Sequence, residues 1–238
     1  MTNEVKKLKE LIDGTDNIVF FGGAGVSTES GIPDFRSTDG LYHQEWKYPP
    51  EVILSHTFYE SNPAEFFRFY RAKMLAPDAK PNAAHLKLAQ WEAEGKLKAI
   101  VTQNIDNLHQ MAGSRRVYEL HGSVHRNYCE RCGKFHGFDF ILSSTGVPKC
   151  ECGGTVKPDV VLYEEGLDQA TIQGAVQAIA EADVLIIGGT SLNVYPAAGL
   201  INYYRGNKLV LVNKSAVARD LTAGLVIRDP IGEVFSQI

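Results

Sequence analysis

The chain has 238 residues, enough for one large domain or for one domain carrying a small insert. Apolar residues make up 44% and charged residues 22%, the ordinary balance of a globular protein. A net charge of −4 leaves no basic footprint, which excludes nucleic acid as an obvious direct partner, whereas a mildly acidic surface suits a lysine-bearing peptide.

In chain order, apolar periodicity predicts a helix over 4–12, a strand over 17–21, and helices over 63–75 and 83–94. Strands follow over 97–102 and 117–120, then a helix over 169–181, a strand over 184–187 and a helix over 196–204. Strands over 209–212 and 225–227 close the list. Pro63 and Pro196 stand at first helical turns, where the missing N–H has no intrahelical acceptor to lose. Short apolar runs alternating with amphipathic stretches predict an α/β fold, a Rossmann-like parallel sheet with helices on both faces. Two segments break the alternation: 38–81 reads as a helical insert and 123–158 as a small metal-binding module, packed together beside the sheet. The sheet domain is then discontinuous, built from 1–37, 82–122 and 159–238.

The longest apolar runs are strand-sized, such as 184–187, so neither a membrane span nor a membrane partner is expected. The opening Met1-Thr-Asn-Glu-Val-Lys-Lys7 lacks the basic-then-apolar pattern of a signal peptide, and a cytoplasmic location is expected. In a reducing compartment the four cysteines read as metal ligands rather than disulfides. Cys129-x2-Cys132 and Cys150-x-Cys152, seventeen residues apart, suit one tetrahedral zinc, closed by four thiolates and therefore structural. A nucleic-acid-binding zinc ribbon is the rival reading, and the few basic residues weigh against it.

The first strand runs into Gly22-Gly-Ala-Gly-Val-Ser-Thr-Glu-Ser-Gly31. Glycine permits a tight turn and removes the Cβ, so that backbone can approach a pyrophosphate and the next helix start can bind it. The spacing is not Gly-x-Gly-x-x-Gly, and no acid-ended strand follows at the distance a hydride-transfer dehydrogenase needs. Any dinucleotide is held differently here.

Gly23-Ala-Gly-Val-Ser-Thr-Glu-Ser-Gly-Ile-Pro-Asp-Phe-Arg36 resembles the signature of the sirtuins. So do Thr102-Gln-Asn-Ile-Asp-Asn-Leu-His109, Glu119-Leu-His-Gly122, the cysteine pairs, Pro158-Asp-Val-Val161 and Gly188-Gly-Thr-Ser-Leu-Asn-Val-Tyr-Pro196, all in family order.

The resemblance implies an NAD-dependent protein-lysine deacylase that moves the acyl group to ADP-ribose and releases nicotinamide. It implies that His121 and Asn104 are catalytic, with His121 the base acting on a ribose hydroxyl. Asn104, Ile105 and Asp106 would line the nicotinamide pocket, with Gln103 at the adjoining ribose. By its residues alone, Asp106 reads first as a helix N-cap, and the resemblance reverses that reading. Ala24, Thr28, Phe35 and Arg36 would form the cofactor loop beside Gly23, Gly25 and Asp34, with Phe35 shielding the reacting centre from water. Gly189, Thr190, Ser191, Asn213 and Ile231 would complete the NAD site at the same sheet edge.

Residues 157–165 read as extended, with Val161 and Tyr163 on one face. Residues 191–194, including Val194, would offer a second edge, and an acyl-lysine peptide would lie between them. The sequence departs from a common family form in having Tyr163-Glu-Glu165 where Phe-Gly-Glu is frequent. The desuccinylating branch carries a Tyr-x-x-Arg pair in the helical insert. The nearest match here, Phe67-Arg-Phe-Tyr70, lacks the Arg, which predicts deacetylation first and rejection of acidic acyl groups. The rival functions are a mono-ADP-ribosyltransferase and a non-catalytic NAD-responsive module.

Overall fold

The computed structural model describes residues 1–34, 40, 46–217 and 222–238. Thr2 opens helix α1 (Asn3–Asp13) by accepting the Val5 N–H, and Val5, Leu8 and Ile12 form its buried stripe. Strand β1 (Ile18–Gly22) is buried at every position, as a central strand covered on both faces must be. Two 3₁₀ turns, Ala24–Val26 and Thr28–Ser30, follow it in place of the helix start expected after the glycine loop. Helices α2 (Pro50–Ile53), α3 (His56–Ser61) and α4 (Pro63–Lys73) come next, α3 and α4 capped by the side chains of Ser55 and Asn62.

Asn82 caps α5 (Ala83–Ala93), which leads through β2 (Leu97–Thr102) and α6 (Leu108–Met111) to β3 (Val117–Glu119). The cysteine segment forms β4 (Gly122–Cys129), β5 (Phe135–His136), α7 (Phe138–Ser143) and β6 (Val156–Val160). Asp168 caps α8 (Gln169–Glu181), which is followed by β7 (Val184–Gly188), β8 (Lys208–Val212), β9 (Leu225–Ile227) and α9 (Ile231–Phe235).

Six strands form one parallel sheet in the order β3-β2-β1-β7-β8-β9. The order reverses direction between β1 and β7. In open α/β sheets a ligand crevice lies at that reversal, beyond the carboxyl ends of the strands. Alternation along each strand sorts the core into two layers. Ile18, Phe20, Val184, Ile186 and Val210 pack against α1, α5 and α9, while Val19, Phe21, Leu185, Ile187 and Leu211 pack against α8. Burying each such side chain contributes about 1.5–3 kcal/mol.

Residues 197–203, within the segment expected to be an α-helix, wind as a 3₁₀ helix instead. The sequence reading also missed α9 and strands β4 and β5 of the cysteine segment, while β6 overlaps the stretch 157–165 that reads as extended. In β4 the reason is local: pairing with β6 passes from Ser123↔Asp159 directly to Asn127↔Pro158, and the intervening bulge destroys the two-residue alternation. The two segments that interrupt the sheet share a third hydrophobic cluster. Phe66, Phe67, Phe69 and Tyr70 of α4 meet Val124, Cys129, Ile141, Cys150 and Val156 there.

One buried pair gives the fold an acid sensitivity. The His85 and His109 rings lie 4.8 Å apart between α5 and α6, and neither His109 nitrogen nor His85 Nε2 has a hydrogen-bond partner. Burial pushes His85 down to about 4, against the pull of the Asp106 carboxylate, and pushes His109 well below its ordinary value. Because the unfolded chain takes up these protons first, the stabilisation is complete above about pH 6.5 and is lost as pH falls toward about 4. Thermal unfolding should show a midpoint that drops between about pH 7 and pH 5, and His109→Leu should flatten that slope. A pH-independent midpoint over that range contradicts the account.

Candidate active site

The carboxyl ends of β1 and β7 are pressed together by their glycines. The Gly25 N–H donates to the Gly189 carbonyl (2.8 Å) and the Gly23 N–H to that of Gly188 (3.2 Å). A Cβ on Gly25 would stand 2.8 Å from Gly189 backbone, and one on Gly189, at φ +57°, would meet the Val26 nitrogen at 2.3 Å. The glycines expected to make room for a ligand therefore first make room for each other. The result is a cleft of ≈ 940 Å³ at the sheet's reversal point, the size range of sites for small organic ligands.

The described members of the expected cofactor set all line this cleft: Gly23, Ala24, Gly25, Thr28 and Asp34 from the first loop, residues 103–106, His121, residues 189–191, Asn213 and Ile231. Phe35 and Arg36 lie outside the described residues. Val161, Tyr163 and Val194 line the same cleft. A smaller cavity of ≈ 220 Å³ at Ile201, Tyr204 and Leu209 contains none of the expected site residues.

Residues 103–106 are fixed by a chain of hydrogen bonds. The Gln103 N–H donates to the Gly22 carbonyl, and Gln103 Nε2 donates to Thr190 Oγ1 (3.0 Å). Asn104 Nδ2 donates to Ser27 Oγ (3.0 Å), and Ser27 Oγ donates to Asp106 Oδ2 (2.6 Å). Asp106 Oδ1 accepts the Leu108 N–H (3.0 Å) at the first residue of α6, whose cap position is Asn107 rather than the Asp106 the sequence suggests. Ser27 is buried at the centre of the chain of bonds and was missed in the sequence, although it lies inside the quoted glycine-loop motif.

His121 follows β3, and its Nδ1 lies 2.9 Å from the Gln103 carbonyl oxygen. A carbonyl can only accept, so Nδ1 carries the proton and Nε2 is left as the basic nitrogen. Burial lowers the His121 pKa, partly opposed by the Gln103 bond, and keeps the ring neutral. A neutral imidazole of fixed tautomer in a cleft is chemically equipped to accept a proton.

The expected substrate walls differ in detail. Val160 and Leu162 are buried and Tyr163 is exposed, as alternation predicts. The Tyr163 N–H donates to the Leu54 carbonyl, and its own carbonyl accepts from the His56 N–H. Across the cleft, residues 191–194 do not form an extended edge, because Leu192 stands at φ +55°. On α4, Phe67 and Tyr70 are fully buried in the insert's core and do not line the cleft; Lys73 and Met74, one helical turn on, do. The aromatic face of that helix points into the insert, so the residues matched for acyl choice are not the ones facing the cleft. Val124 and His125, which the β4 bulge brings there, and Phe138 of α7, stacked on His125, also line it and carried no sequence signal.

The four cysteine sulfurs all lie within 4.8 Å of one another, with Cys129 to Cys152 at 3.5 Å and Cys132 to Cys150 at 3.8 Å. Four thiolates about 2.3 Å from one zinc stand roughly 3.8 Å apart, so the set fits a closed tetrahedral site. The shortened Cys150-x-Cys152 pair is accommodated by a tight turn in which Gly153 N–H donates to the Cys150 carbonyl. A Cβ on Gly154 would lie 2.7 Å from Cys129 Sγ.

A family model described as Sir2 family matches residues 23–196. The NAD-dependent protein deacetylase of Clostridium acetobutylicum is 62% identical over 242 aligned residues, covering 100% of this chain and 99% of that protein. A solved structure of Sir2 with a p53 peptide and NAD+ matches with a TM-score of 0.87 at 39% identity, covering 100% of this chain and 97% of that one. A histidine-to-alanine Sir2 variant with a deacetylated p53 peptide and 3′-O-acetyl ADP-ribose gives 0.90 at 38% identity, covering 98% and 96%.

Proposed function

The chain belongs to the Sir2 family, and on that premise we propose that it is an NAD-dependent protein-lysine deacetylase whose working residues are those gathered in the cleft. The observation that carries the assignment is the meeting of separate motifs from β1, β2, β3 and β7 at the sheet's reversal point, with His121 held there as a neutral base.

Bound NAD supplies the C1′ of its nicotinamide ribose as the electrophile to which the acetyl oxygen bonds as nicotinamide leaves, and ADP-ribose carries the acetyl group away. The protein's part is binding, orientation and one proton. Gly23, Ala24, Gly25, Thr28, Asp34 and residues 189–191 hold the phosphates and adjacent ribose, with Asn213 and Ile231 at the cleft's far wall. Phe35 and Arg36 belong to the same loop by sequence. Asn104, Ile105 and Asp106 form the nicotinamide wall, and Gln103 reaches the neighbouring ribose. His121 Nε2 would take a proton from a hydroxyl of the bound nicotinamide ribose, preparing that oxygen to receive the acetyl group as the lysine amine is released. Val161, Tyr163 and Val194 enclose the lysine stem. The four thiolates of Cys129, Cys132, Cys150 and Cys152 suit one structural zinc.

The same reading divides the chain into a sheet domain (1–37, 82–122, 159–238), a helical insert (38–81) and a zinc module (123–158). No helix among the described residues is long and apolar enough to cross a membrane. Thiolate zinc ligation suits a reducing compartment and supports a cytoplasmic location.

Mass spectrometry of an acetyl-lysine peptide, with and without NAD, tests the activity. Loss of acetyl only with NAD, with O-acetyl-ADP-ribose appearing, is expected; transfer of ADP-ribose to the peptide instead would establish the rival transferase.

Ser27→Ala should weaken the same site without touching His121. It leaves Asn104 Nδ2 and Asp106 Oδ2 each short of a partner, a loss of about 1–3 kcal/mol of local order for buried polar groups. The NAD concentration for half-maximal rate should rise about tenfold, in line with 1.4 kcal/mol per decade. Unchanged NAD dependence refutes the role given to Ser27.

A further inference from the structure

We propose that Arg126 is a positioning residue for this reaction, clamping the β3–β4 turn that carries His121 and seating the β4 bulge on the Gln103–Asp106 loop. The inference rests on the deacetylase reading of the cleft and extends it to a residue outside the cofactor and substrate motifs.

Three observations lead there. Arg126 Nε donates to Asp159 Oδ2 on β6 (2.7 Å), while Nη1 donates to Glu119 Oε2 on β3 (2.5 Å). One guanidinium thus ties the last residue of the parallel sheet's edge strand to the antiparallel zinc sheet, and His121 lies in the turn between. Next, the bulge that holds Arg126 is the stretch that reaches the cleft. Val124 and His125 line it, and the Val124 N–H donates to the Ile105 carbonyl (3.0 Å). Finally, the Glu119 side chain is only 7% exposed, its Oε1 has no partner, and Arg126 supplies its one ion pair among the described residues.

These contacts assign the clamp a positional task. A half-exposed ion pair adds little stability by itself, but a buried carboxylate deprived of its cation is left uncompensated and must move. That movement loosens the strand end two residues before His121. The bulge has no ladder partner on β6, so side-chain bridges at its margin hold its shape. A fork-shaped guanidinium can serve two carboxylates at once, and a lysine ammonium does so with less directional control.

The test uses the full chain loaded with zinc. Arg126→Met should lower kcat for NAD-dependent deacetylation about 10- to 100-fold, the scale of a small misplacement at a reacting centre. The peptide KM should stay within about threefold and the zinc content should be unchanged. Adding Glu119→Gln to Arg126→Met should cost little more, because the two act as a pair. Arg126→Lys should fall between wild type and Arg126→Met, and it supplies the comparison if the Met variant does not fold. An unaltered kcat in a folded, zinc-loaded variant, or losses that simply multiply in the double variant, would overturn the proposal. A wild-type protein that does not turn over acetyl-lysine with NAD would instead overturn the functional reading. The rate ratio between variant and wild type bears on Arg126 alone.

Discussion

Replacing His121 by alanine is expected to cut deacetylation by about 10²–10⁴-fold, the usual contribution of a positioned general base, while the fold survives. The fold should survive because the backbone at this turn is held by bonds the substitution leaves in place. Leu120 N–H donates to Thr102, and the His121 carbonyl accepts from Val161 N–H. Only the ring's bond to the Gln103 carbonyl is lost. In the proposed mechanism His121 acts after nicotinamide has left, so exchange of labelled nicotinamide into NAD should persist in the variant. Circular dichroism, deacetylation and exchange measured together test this, and wild-type deacetylation by the variant would falsify the assignment. The pH profile of the wild type adds a second check. Burial lowers the His121 pKa, and the neutral ring is the working form. The acid limb of kcat/KM should therefore lie below about 6.5, the ordinary histidine value. An acid limb above that value is incompatible with this environment.

Removing the zinc, by a strong chelator or by Cys150→Ala, should unfold at least the outer lobe and abolish activity. In zinc-finger peptides, structural zinc binding amounts to about 10–16 kcal/mol at neutral pH. The whole stability of a typical domain is about 5–15 kcal/mol. The consequence here reaches beyond the module. Cys129 and Cys150 are buried in the cluster that also holds Phe66, Phe67 and Tyr70, so metal loss disturbs the helical insert as well. Strands β4 and β6 further supply Val124, His125 and Val160 to the cleft. Zinc content, thermal unfolding and deacetylation followed through a chelation series should fall together. Retained activity at zero zinc would show that the four thiolates are dispensable.

The acyl preference shows where motif matching needs coordinates. Phe67 and Tyr70 were matched to a carboxylate-binding pair, yet both are sealed inside the insert while Lys73 and Met74 face the cleft. The expected rejection of acidic acyl groups loses its basis, and acetyl as substrate rests on the family relatives.

Much of the sheet domain was legible because its strands are buried on both faces and read as unbroken runs of Val, Ile and Leu. The cysteines read as a metal set from their spacing, whereas the roles expected of the glycine loop, residues 103–106 and His121 came from the resemblance to the sirtuins, and the structure gathers those residues along one cleft. The 3₁₀ turns after β1, the β4 bulge and the place of Ser27 were not legible. Each depends on contacts between residues distant in sequence: Gly25 against Gly189, Val124 against Ile105, Ser27 between Asn104 and Asp106. The sequence alone determined the sheet, the kind of site and the residue types that serve it. Tertiary packing decided which side chains face the cleft and which nitrogen of His121 is basic, because periodicity records a residue's own element and says nothing of the neighbour it will meet.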